Sequence, residues 1–352
     1  MADDQAQRVF DPAQRVFDPA AGDEAVGAGP PAPSRIIELF AGFMVSKTLF
    51  AALEFGFFGA IGPEGATTAE LGERCQIPER SARAIADLMT DAGLLVRDGD
   101  RFRNAPDAEA FLTGRGPFDL SPLARYWDIV SYPMWTNAGT AFRTRQGVRP
   151  ELTEAQTEAY ESAVALVTAE TAADLAGAYD FGGHRRLLDA GGGFGTFVKP
   201  ILERYPDLQA TVVDLPEVAA VVAEEAASGA FASRLTALGA DLFVDPIPGG
   251  HDAILVANVL HLFPPERVVE LLRRLREVIS PDGRLLLVDW WRTDVAPHPS
   301  ARFGAGEFLM IGGGDLYQVD EVTRWLGEAG WRSLGLQSLP PPSGVILAAP
   351  AP

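Results

Sequence analysis

The sequence predicts an α/β chain in which a parallel sheet, covered by helices on both faces, follows a smaller and mostly helical domain. Three observations predict this. From about residue 171, short continuous apolar runs alternate with helix-length segments, the pattern of a sheet buried on both faces. Ahead of them, a helix, turn, helix and hairpin follow one another between about residues 67 and 106. The chain has 352 residues, 47% of them hydrophobic, which suffices for two cores.

Composition narrows the partners. The formal net charge is −19, which argues against nucleic acid, because phosphate binding needs Lys/Arg surfaces. Small molecules or a second copy of the chain are expected instead. The single cysteine, Cys75, excludes an internal disulfide and a multi-cysteine zinc site, and no metal is expected. With no secretory signal in evidence, a cytoplasmic location is expected.

Residues 1–33 are acidic, rich in Ala, Gly and Pro, and poor in aliphatics, so a disordered tail is expected. QRVFDPA occurs at Gln7–Ala13 and again at Gln14–Ala20; two copies cannot build a solenoid, and duplication within a free tail explains them. Residues 34–115 form the next domain. Ser34 caps a helix through the apolar stretch Ile36–Phe58. Glu38, Lys47 and Glu54 inside the stretch argue against a membrane span. Apolar residues on nearly every side predict a buried or interface helix, with a second subunit as its natural cover. Thr68 is expected to cap a helix over Ala69–Cys75, and Ile77-Pro78 to turn the chain into a second helix, Glu79–Ala92. Asp98-Gly99 marks a hairpin. This is a winged-helix pattern. It serves either DNA, through Arg80 and Arg83, or packing and dimerisation, and the acidic chain favours the second.

Residues 116–170 read as a helical linker and pocket segment. Phe118, Tyr126, Trp127, Tyr132, Trp135 and Phe142 suit either a core or the walls around a flat substrate. Residues 171–352 carry the sheet. Strands are expected at Leu187–Ala190, Ala210–Val213, Leu235–Leu238, Ala253–Asn258 and Arg284–Asp289. Helices are expected at Phe197–Tyr205, Glu217–Ala227, Pro265–Ile279 and Val319–Gly330, before a closing antiparallel pair.

The chemistry concentrates at the carboxyl ends of those strands. LLDAGGGFGTF, Leu187–Phe197, is a strand running into a bare backbone and then a helix, so its amides can approach a ligand closely. The Gly-x-Gly-x-x-Gly pattern is not met, because its third glycine falls on Thr196 or Val198. Asp214 ends the next strand, where a carboxylate accepts both hydrogen bonds of a ribose diol. Nicotinamide dinucleotides and S-adenosylmethionine both carry such a diol, and a helix-capping role for Asp214 stands beside them. Asp241 can accept from an adenine amino group, with Leu242 or Phe243 against the ring. His261 lies just past the strand in AILVANVLH, where open α/β sheets bind ligands, and is a candidate general base. The bland alternative is an exposed loop histidine. His184 and His251 precede strands, and His298 lies in a Pro-rich loop.

Taken in order, LLDAGGGFG, TVVDLPEV, GADLF, NVLHLF, ISPDGRLLLVD and AGW resemble the S-adenosylmethionine-dependent O-methyltransferases of the plant caffeate and bacterial antibiotic and carotenoid type. The resemblance implies a Rossmann-like catalytic domain behind a winged-helix dimerisation domain, and a homodimer. It implies that Asp189, Gly191, Gly193, Asp214, Leu215, Asp241, Leu242 and Ala257 bind S-adenosylmethionine. It implies that His261, partnered by Asp289, takes the proton of a hydroxyl on an aromatic or polyketide-like metabolite. Trp127, Tyr132, Met134, Trp135, Phe308 and Met310 are the candidate substrate walls. Two positions depart from the family pattern. Leu262-Phe263 stands where many members have Asp-Trp, and Asp315-Leu316 stands where many have Arg-Glu. Competing readings are C-methylation or a non-methylating use of the same cofactor, a DNA-binding regulator, and a nicotinamide dehydrogenase.

Overall fold

A computed structural model describes residues 34–116, 118–148, 151–292 and 299–352. The tail expected over 1–33, its QRVFDPA duplication and His298 lie outside the described residues. The chain divides into two compact units. Among the described residues one holds 34–133 and 152–166, the other 134–148, 151 and 167–352. The segment 116–170, expected as one linker, is thus divided between them.

The first unit begins with helix α1, Ser34–Glu54. A three-stranded antiparallel sheet follows, ordered β1 (Ala66–Thr67), β3 (Arg101–Asn104), β2 (Leu95–Asp98). Between β1 and β2 lie α2, Thr68–Arg74, and α3, Glu79–Asp91. Thr67 caps α2, not Thr68. Its hydroxyl accepts from Glu70 N, while the Glu70 carboxylate accepts from Thr67 N, a reciprocal box that needs Thr and Glu three apart. Thr67→Ala is expected to lower the unfolding free energy by about 0.5–2 kcal/mol, read from a denaturant midpoint.

Phe57, Phe58, Leu71, Ala82, Met89, Leu95 and Phe102 form the core of this unit. Only the second half of α1, through Val45, Leu49, Ala52 and Leu53, packs on it. In the first half Ile36, Ile37, Leu39, Phe40, Phe43 and Met44 are exposed. Burial of this helix within its own chain, one of the two expectations for it, is therefore not met. A core this small reaches only one end of a 21-residue helix.

The second unit is built on a seven-stranded sheet ordered β6-β5-β4-β7-β8-β10-β9. Its strands are β4 (Arg186–Ala190), β5 (Gln209–Asp214), β6 (Leu235–Gly239), β7 (His251–Ala257), β8 (Ile279–Trp290), β9 (Trp331–Ser338) and β10 (Ser343–Pro350). β4 to β8 pair in parallel and β10 and β9 close the sheet antiparallel. Leu187, Leu188, Val212, Val213, Ile254, Leu255, Leu286 and Leu287 are all fully buried, which is why these strands read as unbroken apolar runs.

One face is covered by the later part of α4 (Glu154–Ala178), by α5 (Val198–Arg204) and by α6 (Pro216–Ser228), through Leu175, Ile201, Leu202 and Val222. The other face is covered by α7 (Pro265–Val278) and α9 (Val319–Glu328), through Val268, Leu272, Leu275, Val322 and Leu326. Between them in sequence runs α8, Pro299–Gly312. The strand order reverses between β4 and β7. A crevice at such a switch point, outside the carboxyl ends of the strands, is where sheets of this class bind ligands.

Candidate active site

The glycine bend leaves β4 at that switch point. Gly191, Gly193 and Gly195 take φ of 75°, 53° and 71°, a region that only glycine enters without strain. A Cβ on Gly191 would lie 2.8 Å from Val259 Cγ2 and 3.7 Å from Leu242 Cδ1. The bend therefore touches the chain leaving β7 and the loop leaving β6.

Asp214 closes the bend. Its Oδ2 accepts from Gly193 N at 2.8 Å and its Oδ1 from Leu215 N at 2.8 Å. Burial pushes the Asp214 carboxyl up, and those two amide bonds oppose the rise. Beyond β6, Asp241 Oδ1 accepts from Phe243 N at 2.8 Å and shapes a turn over Leu242, which is buried. Phe243 packs edge-on against Phe263, centroids 4.8 Å apart, under the Arg267 guanidinium. Ala257 ends β7 and is buried; Leu215 is exposed.

Asp189 stands apart. It is wholly buried beneath the bend, and neither carboxyl oxygen has a hydrogen-bond partner among the described residues. Burial, reinforced by the Asp214 carboxylate, pushes it up to about 8. An orphaned acid beneath an amide-rich bend fits a ligand that brings a positive group; a neutral, apolar ligand would leave it unsatisfied. A carboxyl raised in the folded state favours folding fully below the unfolded value near pH 4, and the benefit is lost as pH climbs through about 8. Each pH unit between the two values is worth about 1.4 kcal/mol. The ligand-free protein is expected to lose thermal stability between pH 4 and 8, and Asp189→Asn to flatten that loss. Matched melting curves check this.

At the end of β7 the chain turns through Asn258, at φ 56°, into a short 3-10 turn, Leu260–Leu262. His261 is buried there. Its Nδ1 lies 2.6 Å from Asp289 Oδ1 on β8, and its backbone N donates to Asp289 Oδ2 at 3.3 Å. Trp290 N also donates to Asp289 Oδ1, at 2.8 Å. A carboxylate on Nδ1 holds the proton there and leaves the Nε2 lone pair as the acceptor. Phe308, on α8, stacks on the imidazole, with centroids 3.7 Å apart and planes 15° apart.

The remaining wall candidates fall in different places. Trp135 donates from its indole N to Glu307 at 2.8 Å and lies against Gly306, where a Cβ would come 2.7 Å from Cη2. Met134 and Met310 are buried, and Met310 O accepts from Val148 N. Trp127 and Tyr132 belong to the first unit, where Lys47 pairs with Asp128 and sits 5.0 Å over the Tyr132 ring. Leu316 is buried, and the neighbouring Asp315 pairs with Arg145 at 2.9 Å. Sequence reading did not find Trp290, Gly304, Glu307 or Gly314. Their signal is the closely spaced glycines of 304–314, which let aromatic rings and backbone approach.

The O-methyltransferase domain model matches residues 140–332, more than half of the chain. A 3-hydroxy-5-methyl-1-naphthoate 3-O-methyltransferase of Streptomyces sahachiroi is 30% identical over 86% of this chain and 92% of its own. The tetracenomycin polyketide synthesis 8-O-methyl transferase TcmO of Streptomyces glaucescens is 30% identical over 85% and 91%. Among solved structures, the mitomycin 7-O-methyltransferase MmcR superposes with a TM-score of 0.82 at 24% identity, covering 95% of this chain and 99% of that one, and shows the same fold. The chain therefore belongs to the O-methyltransferase family, enzymes that transfer a methyl group from S-adenosylmethionine to a hydroxyl.

Proposed function

We propose that this enzyme methylates a hydroxyl on an aromatic or polyketide-like secondary metabolite, with His261 as general base. The observation that carries the reading is His261 paired with buried Asp289 at the same sheet end as the glycine bend. The naphthoate and polyketide relatives support the substrate class.

When bound, S-adenosylmethionine supplies a methyl group on a cationic sulfur, an activated electrophile. Gly191, Gly193, Asp189 and Ala257 would line its place, Asp214 and Leu215 would meet the ribose, and Asp241 and Leu242 would meet the adenine. Asp214 serves two ends, since it orders the bend through Gly193 N and offers a charged acceptor to a diol. His261 Nε2 takes the hydroxyl proton as the oxygen attacks. Asp289 keeps the imidazole in the required tautomer and steadies the imidazolium that forms. Orientation of the two reactants contributes a large further share. Trp135 and Phe308 flank the acceptor as aromatic walls. Met134 and Met310, being buried, act behind such walls.

A hydroxynaphthoate incubated with methyl-labelled S-adenosylmethionine tests this. The label is expected on oxygen, and an acceptor lacking the hydroxyl is expected to remain unlabelled. Label on a ring carbon would overturn the reading.

The first unit is read as a winged-helix dimerisation module. Helix α1, with the apolar residues of its first half exposed, is the surface a second copy covers. An acidic chain and a lone cysteine suit a cytoplasmic enzyme with no nucleic-acid partner. α1 is long and apolar enough to cross a membrane, so sedimentation without detergent discriminates. Twice the chain mass at micromolar concentration is expected, and a single-chain mass would contradict the dimer.

A further inference from the structure

The imidazole of His261 is fixed at one edge. Its Nδ1 meets Asp289, which is itself held by Trp290 N. A ring tied by one hydrogen bond still swings about that bond. Phe308 lies where it blocks the swing, face-on at 3.7 Å, nearer than the roughly 4.5–7 Å usual for aromatic pairs.

Phe308 is in turn held. The Trp290 ring meets it at 5.9 Å and 58°. Gly304, one turn earlier on α8, makes room for both: a Cβ there would come 2.8 Å from Trp290 Cζ3 and 3.4 Å from Phe308 Cε2. On the backbone side, a Cβ on Gly314 would sit 1.8 Å from His261 O. α8 and the glycines after it thus grip residue 261 from two directions.

We infer that Phe308 is a positioning residue for methyl transfer, whose phenyl face holds the His261 imidazole in the plane that presents Nε2 to the acceptor hydroxyl. The inference rests on His261 acting as the base, as proposed above. It gives Phe308 a second task besides lining the acceptor site. The same face lies against the imidazolium formed once Nε2 takes the proton, a contact a π-cloud favours. Among the described residues, Asp289 faces Nδ1; Glu307, beside Phe308, is engaged by the Trp135 indole; and Asp315 is engaged by Arg145.

The test uses the full chain with Phe308→Ala, Phe308→Leu and Phe308→Tyr. Turnover is measured with the hydroxynaphthoate probe, adenosylhomocysteine affinity by calorimetry, and the His261 ring by long-range proton–nitrogen NMR, assigned against His261→Gln. Phe308→Ala is expected to lower kcat by about 10- to 100-fold while adenosylhomocysteine binds as before. Tyr restores most of the rate. The carbon-bound protons of His261 move downfield in the Ala and Leu variants, as the ring current is lost, and stay in place in Tyr. An unchanged kcat in Phe308→Ala, or His261 protons that do not move, would overturn the inference. Full activity in His261→Ala would instead remove the base reading, while the NMR shifts still report the stack.

Discussion

Replacing His261 with alanine is expected to lower the methyl-transfer rate by about 10²–10⁴-fold, the usual worth of a positioned general base. The geometry makes the loss specific. Nδ1 is committed to Asp289, whose second oxygen takes the His261 backbone N. The only job left to the ring is at Nε2. Alanine removes it and leaves the glycine bend, Asp214 and Asp241 untouched, so adenosylhomocysteine affinity is expected to stay within a few-fold of the parent. Rates with the hydroxynaphthoate probe, measured at saturating S-adenosylmethionine, check this. The residual rate reflects alignment of the two reactants, which survives loss of the base. A fall in affinity matching the fall in rate would mean that His261 holds the site together instead of moving a proton.

The second large effect is expected at Asp214. Asp214→Ala removes the acceptor that binds Gly193 N and Leu215 N. It also removes the acceptor proposed for a ribose diol. Hydrogen bonds to a charged group contribute about 1.5–3 kcal/mol each. Loss of two toward the nucleoside therefore weakens binding by about 3–6 kcal/mol, or roughly 10²–10⁴-fold. Asp214→Asn keeps the shape and one acceptor oxygen, and is expected to lose less. Calorimetric titration of each variant with adenosylhomocysteine separates these outcomes. A Kd unchanged in Asp214→Ala would place the nucleoside elsewhere.

Much of this arrangement was legible in the sequence because burial on both faces leaves a plain mark. The runs around Leu187, Val212, Leu255 and Leu286 have no polar alternation, and all are sheet. Asp214, Asp241 and His261 were placed by the rule that ligands bind beyond the carboxyl ends of parallel strands. The α2 cap falls one residue before the expected Thr68: Thr67 with Glu70 makes the complete box, and Thr68 carries the same side chain. The fate of α1 was half legible: apolar residues all round show that something must cover a helix, and not whether the cover is intramolecular. The Phe308 stack was not legible as such. It depends on α8 returning over β7 and β8, and on Gly304 and Gly314 admitting rings and backbone at distances that spacing alone does not encode. Asp189 was assigned to the cofactor by resemblance, but its missing partners could be seen only once both oxygens were found enclosed.

Methyl transfer by this chain requires a nucleoside cradle, which the proposed function sets where β4, β5 and β6 end. Titrating adenosylhomocysteine into the purified chain by calorimetry tests it most directly. Saturable heat at one ligand per chain is expected, weakened at least a hundredfold by Asp214→Ala and unaltered by His261→Ala. No heat from the parent chain at concentrations where it is folded would contradict it.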